Sequence, residues 1–190
     1  LKRLTFEASI RHAKNICLSF INKSHIPWVT LTKKVDLFLS QSHYANEVLS
    51  KSSDKPVFYI GDYIEAAKLS YKKKDIDYKN TSLRVCYNPK KGVWYFHLCK
   101  FFNRKIDFVP ISNLNEIELI QLFQNSHAYV DFGSQPGKDR LPREAIGCGC
   151  PSFIMSSGAG VNFSDFPRSS MFRFKISQLP FLHSIIKNGI

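Results

Sequence analysis

Long apolar runs are absent from this chain of 190 residues. No stretch reaches the roughly 18 consecutive apolar residues that a membrane-spanning helix needs. The segment that begins at Leu1 is amphipathic rather than apolar, so it does not read as a secretory signal. A start at Leu1 indicates a removed first residue or a portion of a longer protein. We expect a cytoplasmic protein that meets a membrane, if at all, only at the inner face.

Familiar catalytic and metal-binding motifs are also missing. The sequence has no GxSxG, no GxxxxGK[ST] and no HExxH, and its six histidines have no paired spacing. No catalytic residue can therefore be named. The five cysteines are an odd number without framework spacing, which favours reduced thiols. Cys148 and Cys150 are assigned to packing, and we expect no metal and no cofactor.

The charge of the chain is strongly positive. Lysine and arginine number 27 against 15 acidic residues, a formal net charge of +12, and the excess is spread over both parts of the chain. Such a surface attracts phosphorylated ligands, other polyanions or an anionic membrane, although a solvated basic surface is an equally good interpretation. Without a basic helix or an aromatic-basic string, nucleic-acid binding is not expected.

Alternating strand and helix patterns dominate the second part of the chain. Apolar strand patterns at 83–87, 106–111, 128–132 and 151–155 are separated by helical patterns. This order predicts βαβ units, and hence an α/β fold with a Rossmann-like parallel sheet and helices on both faces. We assign residues 76–190 to this domain and residues 1–75 to a partial N-terminal α/β portion with a linker.

Two loops that follow predicted strands carry cations before a predicted helix. Ligands of parallel sheets lie beyond the carboxyl ends of the strands, and a helix N-terminus attracts anions. The loops at 88–92 and 133–140 therefore predict a diphosphate site, with a solvated turn as the alternative. Gly137 is interpreted as a turn that other residues resist. The residues assigned to the diphosphate are Lys90, Lys91, Gly137, Lys138 and Arg140.

Glu144 stands one turn into the helix that follows the second of these loops. A carboxylate at this place can accept hydrogen bonds from ribose or sugar hydroxyls. The alternative is a first-turn glutamate that only complements the helix dipole.

The string PGKDRLPREAIGCGCPSFIM at 136–155 resembles the nucleotide-sugar-binding half of GT-B-fold glycosyltransferases. The retaining branch of that family has E-G-F-G-L-P-x-x-E-A followed by G-x-P-V, and LPREA and GCP fall in this register. YNPKKG at 87–92 resembles the family's first strand and Lys-Gly loop, and VDLFLSQSHYANEVL at 35–49 resembles the end of its acceptor domain.

The resemblance implies transfer of a sugar from a nucleotide diphosphate donor to a glycan or lipid-linked acceptor, as in surface polysaccharide synthesis. It implies that Lys91, with Lys90 beside it, and either Arg140 or Lys138 neutralise the leaving diphosphate without a metal. Glu144 would bind the donor ribose. The loop that includes Ser112 and Asn113 would lie beside the base.

Two departures from the family pattern limit this assignment. The family's first glutamate, which commonly holds the donor sugar, falls on Pro136, and Asp139 is the candidate replacement. The portion before residue 76 is short for an acceptor domain, so that domain is expected to be incomplete. Two alternatives remain: a nucleotide-sugar epimerase of the same fold, and a non-catalytic module that binds nucleotides or polyanions.

Overall fold

The computed structural model describes residues 36–61, 64, 82–135, 137–166 and 171–189. Pro136 and the expected domain boundary between residues 75 and 76 lie outside these ranges, as does most of the N-terminal portion.

The first described segment is a small parallel β-α-β unit. It consists of β1 (Phe38–Ser40), α1 (His43–Ser52) and β2 (Val57–Tyr59). The two strands pair in parallel, with Phe38 opposite Val57. Ser42 begins the helix, because its hydroxyl accepts a hydrogen bond of 3.0 Å from the Ala45 amide.

A carboxylate from a distant part of the chain also binds the start of α1. Asp165 is fully buried, and its two oxygens accept hydrogen bonds from the amides of His43 (2.7 Å) and Tyr44 (2.9 Å). The amides of a first helical turn have no partner within the helix, and a negative charge there is favourable. Asp165 therefore fixes the small unit against the rest of the fold.

We expect Asp165→Ala to lower the free energy of unfolding by about 1–3 kcal/mol, since it leaves two first-turn amides without their buried acceptor. Asp165→Asn keeps one acceptor oxygen and should cost less. Urea unfolding measures both changes. Asp107→Asn is the control. Asp107 is exposed and forms a surface ion pair of 3.7 Å with Arg84, and such pairs contribute at most about 1 kcal/mol. Equal losses at both positions would contradict the role given to Asp165.

Five parallel strands form the main sheet of the described chain. They are β3 (Leu83–Tyr87), β4 (Ile106–Pro110), β5 (Ala128–Asp131), β6 (Ser152–Met155) and β7 (Met171–Phe174). Their order in the sheet is β4-β3-β5-β6-β7, and every neighbouring pair is parallel. The chain passes from β3 outward to β4 and then returns across β3 to β5. The strand order thus reverses between β3 and β5, and the Rossmann-like α/β fold expected from the sequence is confirmed.

Helices cover both faces of this sheet. They are α2 (Val93–Phe102), α3 (Glu116–Gln124), α4 (Arg140–Gly147) and α5 (Leu182–Gly189), with short 3₁₀ segments at Ala159–Val161 and Ile176–Phe181. Successive residues of a strand face opposite sides. Val85 accordingly packs with α2, α5 and the Ile176–Phe181 segment, whereas Cys86 packs with α3 and α4.

The cysteines and the glycine at the end of α4 behave as the sequence indicates. Cys148 and Cys150 are buried in the core beneath α3 and α4. Gly149 has a φ of 76° and follows the helix in the left-handed conformation, as is common after helix ends. The expectation that both cysteines serve packing is confirmed.

Candidate functional site

The carboxyl ends of β3 and β5 meet at the point where the strand order reverses. In open α/β sheets this is where ligands bind. The loop after β3 (88–92) and the loop after β5 (132–139) are in contact here. A Cβ on Gly133 would lie only 3.0 Å from Lys91 Cβ. The structure therefore brings the two predicted phosphate loops together.

Gly92 allows this close approach. Its φ is 60°, and a Cβ at this position would overlap the carbonyl group of Phe132 and lie 2.8 Å from Phe132 Cβ. The loop thus needs glycine for two independent reasons: the left-handed conformation and the space taken by Phe132.

Lys91 is the centre of the contact between the loops. Its ammonium lies 3.4 Å from an Asp131 carboxylate oxygen and 3.4 Å from Gln135 Oε1, and it is also paired with Asp139. The Asp131 side chain is only 1% exposed. Asp131 also accepts hydrogen bonds from the Gly133 amide (2.9 Å) and the Tyr129 hydroxyl (3.2 Å). A single cation is therefore shared by two carboxylates.

The surroundings of Asp139 disfavour ionisation of its carboxyl group. Burial raises the pKa of its carboxyl group, the Lys91 ammonium lowers it, and the Asp131 charge raises it again, so that the pKa ends above its ordinary value. Asp139 is also the N-cap residue of α4, but its side chain makes no capping hydrogen bond. The carboxylate is turned to Lys91, and the amides at the start of α4 receive no side-chain cap.

The helix starts of the fold differ in this respect. Ser42 caps α1, and Asn115 caps α3 in a capping box with Glu118. The two helices that begin at the reversal point, α2 and α4, have no side-chain cap. Uncapped amides at a helix start attract anions. The N-termini of α2 and α4, beside the predicted diphosphate loops, are therefore suited to bind an anion.

Arg140 and Glu144 form an ion pair across the first turn of α4. The Arg140 guanidinium donates to Glu144 at 3.0 Å, and the Arg140 side chain is 57% exposed whereas that of Glu144 is 11% exposed. Arg143 steadies the preceding loop by donating to the carbonyls of Lys138 (2.9 Å) and Asp139 (3.0 Å). The pair presents a cation to solvent over a carboxylate that is nearly buried.

A pocket adjoins Glu144 between α3 and α4. It is lined by Glu144, Cys148 and four residues of α3: Glu116, Leu119, Ile120 and Phe123. Its accessible lining is apolar, and it has room for about one water molecule. The hollow is therefore too small to hold a nucleoside base.

A third loop, after β6, is joined to the same edge. Gln135 pairs with Gly158 in an isolated bridge, and its carbonyl accepts from the Ala159 amide at 2.7 Å. Gly158 has a φ of 58° and lies directly against the Gln135 backbone. The loop is therefore built into the edge rather than free to wrap a ligand.

The other residues predicted for the site follow strands at this edge of the sheet, outside the Lys91 contacts. Lys90 is exposed, and its amide donates to Asn88 Oδ1 at 3.0 Å. Lys138 is half-buried. Ser112 and Asn113 are exposed in the loop that follows β4, and Asn113 has a φ of 55°. Lys90, Ser112 and Asn113 therefore face solvent at the carboxyl-terminal edge of the sheet.

The structural reason given for Gly137 is wrong. Gly137 has no positive φ, and a Cβ there would meet only Ser42 Oγ, at 3.7 Å. Nothing in the backbone demands glycine at this position. At Gly92, Gly158 and Gly160, by contrast, a Cβ would overlap a backbone oxygen of a neighbouring segment.

Sequence reasoning missed Asp131 and Gln135, which share the Lys91 ammonium. A charged residue at the end of a fully apolar strand was a usable signal for Asp131. Gln135 and Asp165 had no such signal, because only the fold brings them to their partners.

No family model matches the sequence, and none of the curated proteins is significantly similar to it. Across the described residues, no three His, Cys, Asp or Glu side chains are grouped to hold a metal ion. In the same ranges no helix has both the length and the apolar composition to cross a membrane.

Proposed function

We propose that the chain carries the donor-binding domain of a GT-B type glycosyltransferase, which transfers a sugar from a nucleotide diphosphate to an acceptor. One observation carries the proposal: α2 and α4 begin at the reversal of strand order without side-chain caps and are surrounded by lysine and arginine. The resemblance of LPREA and YNPKKG to that family supports it.

The leaving group determines what this edge must do. When the sugar departs, the nucleoside diphosphate gains negative charge, and cations and amide dipoles already in place stabilise that charge. Lys90, Lys138 and Arg140 are placed around the two helix starts to do so. No bound metal is needed in this proposal.

Lys91 has a different part in the proposed site. Two carboxylates already share its ammonium, so it brings little net charge to the edge by itself. Its role is to hold the loops after β3 and β5 together, and a diphosphate would approach it in competition with Asp139. Asp139 is thereby free to bind donor sugar hydroxyls when the diphosphate takes its place on Lys91.

Glu144 would hold the ribose of the nucleoside. Its nearly buried carboxylate can accept hydrogen bonds from the ribose hydroxyls. The apolar hollow beside it has room for about one water molecule, so the base would lie outside that hollow. Ser112 and Asn113 follow the neighbouring strand and would border the base.

A thermal-shift panel with UDP, GDP, CMP, ADP and inorganic diphosphate tests nucleotide binding. A ligand at 100 times its Kd adds about 2.7 kcal/mol to stability, which is roughly 5–10 °C for a chain of this length. One nucleoside diphosphate should give a shift of that size. No shift with any member of the panel would overturn the proposed donor site.

Arg140→Ala is expected to weaken binding of that nucleoside diphosphate by about 1–3 kcal/mol, or roughly 5- to 150-fold in Kd, through loss of a charge-assisted contact. Arg84→Ala is the matched control, because Arg84 lies near the amino end of β3 and pairs with Asp107. Titration calorimetry measures both. Equal affinities in the two variants would remove Arg140 from the diphosphate site.

Glu144→Gln separates ribose binding from diphosphate binding. The variant loses the charged acceptor and releases Arg140 from its ion pair. Affinity for the nucleoside diphosphate should therefore fall while affinity for inorganic diphosphate is kept or rises. Equal losses for both ligands would return Glu144 to a structural role.

Product analysis distinguishes the possible activities. Release of sugar from the nucleotide donor supports a transferase, whereas an isomeric nucleotide-sugar formed without acceptor indicates an epimerase. Nucleotide binding with neither product indicates a non-catalytic module.

A further inference from the structure

One face of the main sheet is covered by segments without acidic residues. Residues 88–105 and 171–189 contain no Asp or Glu, although the whole chain has 15. They form α2, β7, the Ile176–Phe181 segment and α5. The basic residues within them are Lys90, Lys91, Lys100, Arg104, Lys105, Arg173, Lys175 and Lys187.

These segments form one continuous surface. The Asn103 side chain at the end of α2 donates to the Leu179 carbonyl at 2.8 Å and accepts from the His183 amide at 3.0 Å. Burial, Lys187 and Lys105 together lower the pKa of His183, so both of these lysines lie near the junction of α2 and α5.

Large apolar side chains stand exposed on the outer side of this surface. Trp94 is 77% exposed and Phe101 is 62% exposed. They are seven positions apart in the sequence, so they lie on one stripe of α2. Three further apolar side chains are about half exposed or more: Phe102, Ile176 and Phe181.

Cations are interleaved with these aromatic rings. The Arg104 guanidinium lies 5.7 Å from the centre of the Phe101 ring. Within the described ranges, no carboxylate pairs with any of the cations Lys100, Arg104, Lys105, Lys175 and Lys187. We call this surface, formed by the outer side of α2, the Ile176–Phe181 segment and α5, the basic aromatic face.

We propose that the basic aromatic face docks on an anionic lipid surface, with Trp94 and Phe101 entering the headgroup region and the surrounding cations meeting lipid phosphates. Exposed aromatic residues on a helix rimmed by lysine and arginine have the chemistry of an interfacial helix. Lys and Arg can reach phosphates while their stems remain on apolar surface. The protruding Trp94 and Phe101 side chains fit a layer that they can enter.

This proposal does not depend on the donor site. Vesicle binding is measured without nucleotide, so its failure leaves the proposed transferase activity untouched, and failure of the nucleotide panel leaves the docking face untouched.

Co-sedimentation with vesicles tests the proposal. One vesicle type is phosphatidylcholine alone and the other is equal parts of phosphatidylcholine and phosphatidylglycerol. We expect binding at least about tenfold tighter on the anionic vesicles, weakening as salt is added. Equal binding to both types, or none to either at low salt, would overturn the proposal.

Two double variants divide the contributions. Trp94→Ser with Phe101→Ser, and Arg104→Gln with Lys105→Gln, should each weaken binding to the anionic vesicles by about tenfold or more. Ile117→Ser and Lys51→Gln are the matched controls, since both side chains are highly exposed on other helices, α3 and α1. Losses as large in the controls would refute the assigned face.

Fluorescence of Trp94 reports insertion directly. The chain has two tryptophans, so Trp28→Phe leaves Trp94 as the sole tryptophan, whose emission can be excited selectively. Anionic vesicles should shift its emission to shorter wavelength, and brominated lipid should quench it. Unchanged emission on bound vesicles would exclude insertion, and capture by soluble polyglutamate but not by vesicles would assign the face to an acidic protein partner instead.

Discussion

Gly92→Ala is expected to lower the free energy of unfolding by about 3 kcal/mol or more. A left-handed φ costs a residue with a Cβ about 1–2 kcal/mol, and overpacking typically adds about 1–3 kcal/mol. Both apply at Gly92, whose φ is 60° and whose Cβ would overlap the Phe132 carbonyl group. Urea unfolding followed by circular dichroism gives the loss.

Two other glycines separate the causes. Gly61 has a φ of 68°, but a Cβ there would be 3.5 Å from its nearest neighbour, so Gly61→Ala should show the backbone cost alone. Gly137 has neither problem, and Gly137→Ala should change stability by less than about 0.5 kcal/mol. The expected order of destabilisation is therefore Gly92, Gly61, Gly137. A Gly92 variant as stable as the Gly137 variant would show that the loop moves away from Phe132 freely.

Lys91→Met should destabilise the fold by about 2–4 kcal/mol, because it leaves the buried Asp131 carboxylate without its cation. Breaking a buried pair costs about 3–5 kcal/mol. We expect somewhat less, since the Lys91 side chain is 23% exposed and Asp131 keeps its hydrogen bonds from Gly133 and Tyr129. The midpoint of urea unfolding measures the change, and nucleoside diphosphate binding should weaken by about 1–3 kcal/mol as well.

Adding Asp139→Asn tests whether the carboxylates cause that loss. The double variant should be more stable than Lys91→Met alone, since one of two unpaired negative charges is removed. The raised pKa of Asp139 in the wild-type protein determines the direction in which its contribution to stability changes with pH. A raised folded-state pKa contributes stability below the ordinary pKa of aspartate, and this is lost as the pH rises through the folded value. The benefit of the second substitution should therefore appear at neutral pH and vanish in acid.

The sheet could be predicted because its strands carry their own signal. Residues 83–87 form β3 with the predicted bounds, and β4, β5 and β6 each differ from the prediction by one residue at an end. Strands buried on both faces read as short apolar runs, and the helices between them have a distinct period. The order of the strands is a tertiary property, which those local patterns do not contain.

Two helical segments after β7 could not be predicted from the sequence. The Ile176–Phe181 segment and α5 were not predicted, because Pro180 interrupts the pattern that joins them. A proline inside a helical pattern usually marks its end. Here the segment before it is a 3₁₀ helix, and Asn103 ties the junction to α2.

The candidate site could be located but not assembled from sequence. Loops after parallel strands converge at one edge, so 88–92 and 133–140 could be chosen as neighbours. The sharing of Lys91 by Asp131 and Asp139 depends on side-chain positions 40 or more residues apart in the chain. The sequence therefore predicts that Lys91 binds a ligand phosphate. In the structure its ammonium group contacts Asp131 and Asp139 and joins the loops after β3 and β5.

The interior position of β3, between β4 and β5, has a consequence for synthesis on the ribosome. β3 is made before all the other strands of the main sheet, yet one of its two edges stays bare until β5 emerges, since Val85 pairs with Ala128. A bare strand edge can recruit a strand from another chain, and nascent chains that expose such edges are prone to aggregate. The interval between the making of β3 and of β5 is thus the time when a chaperone would protect this chain most.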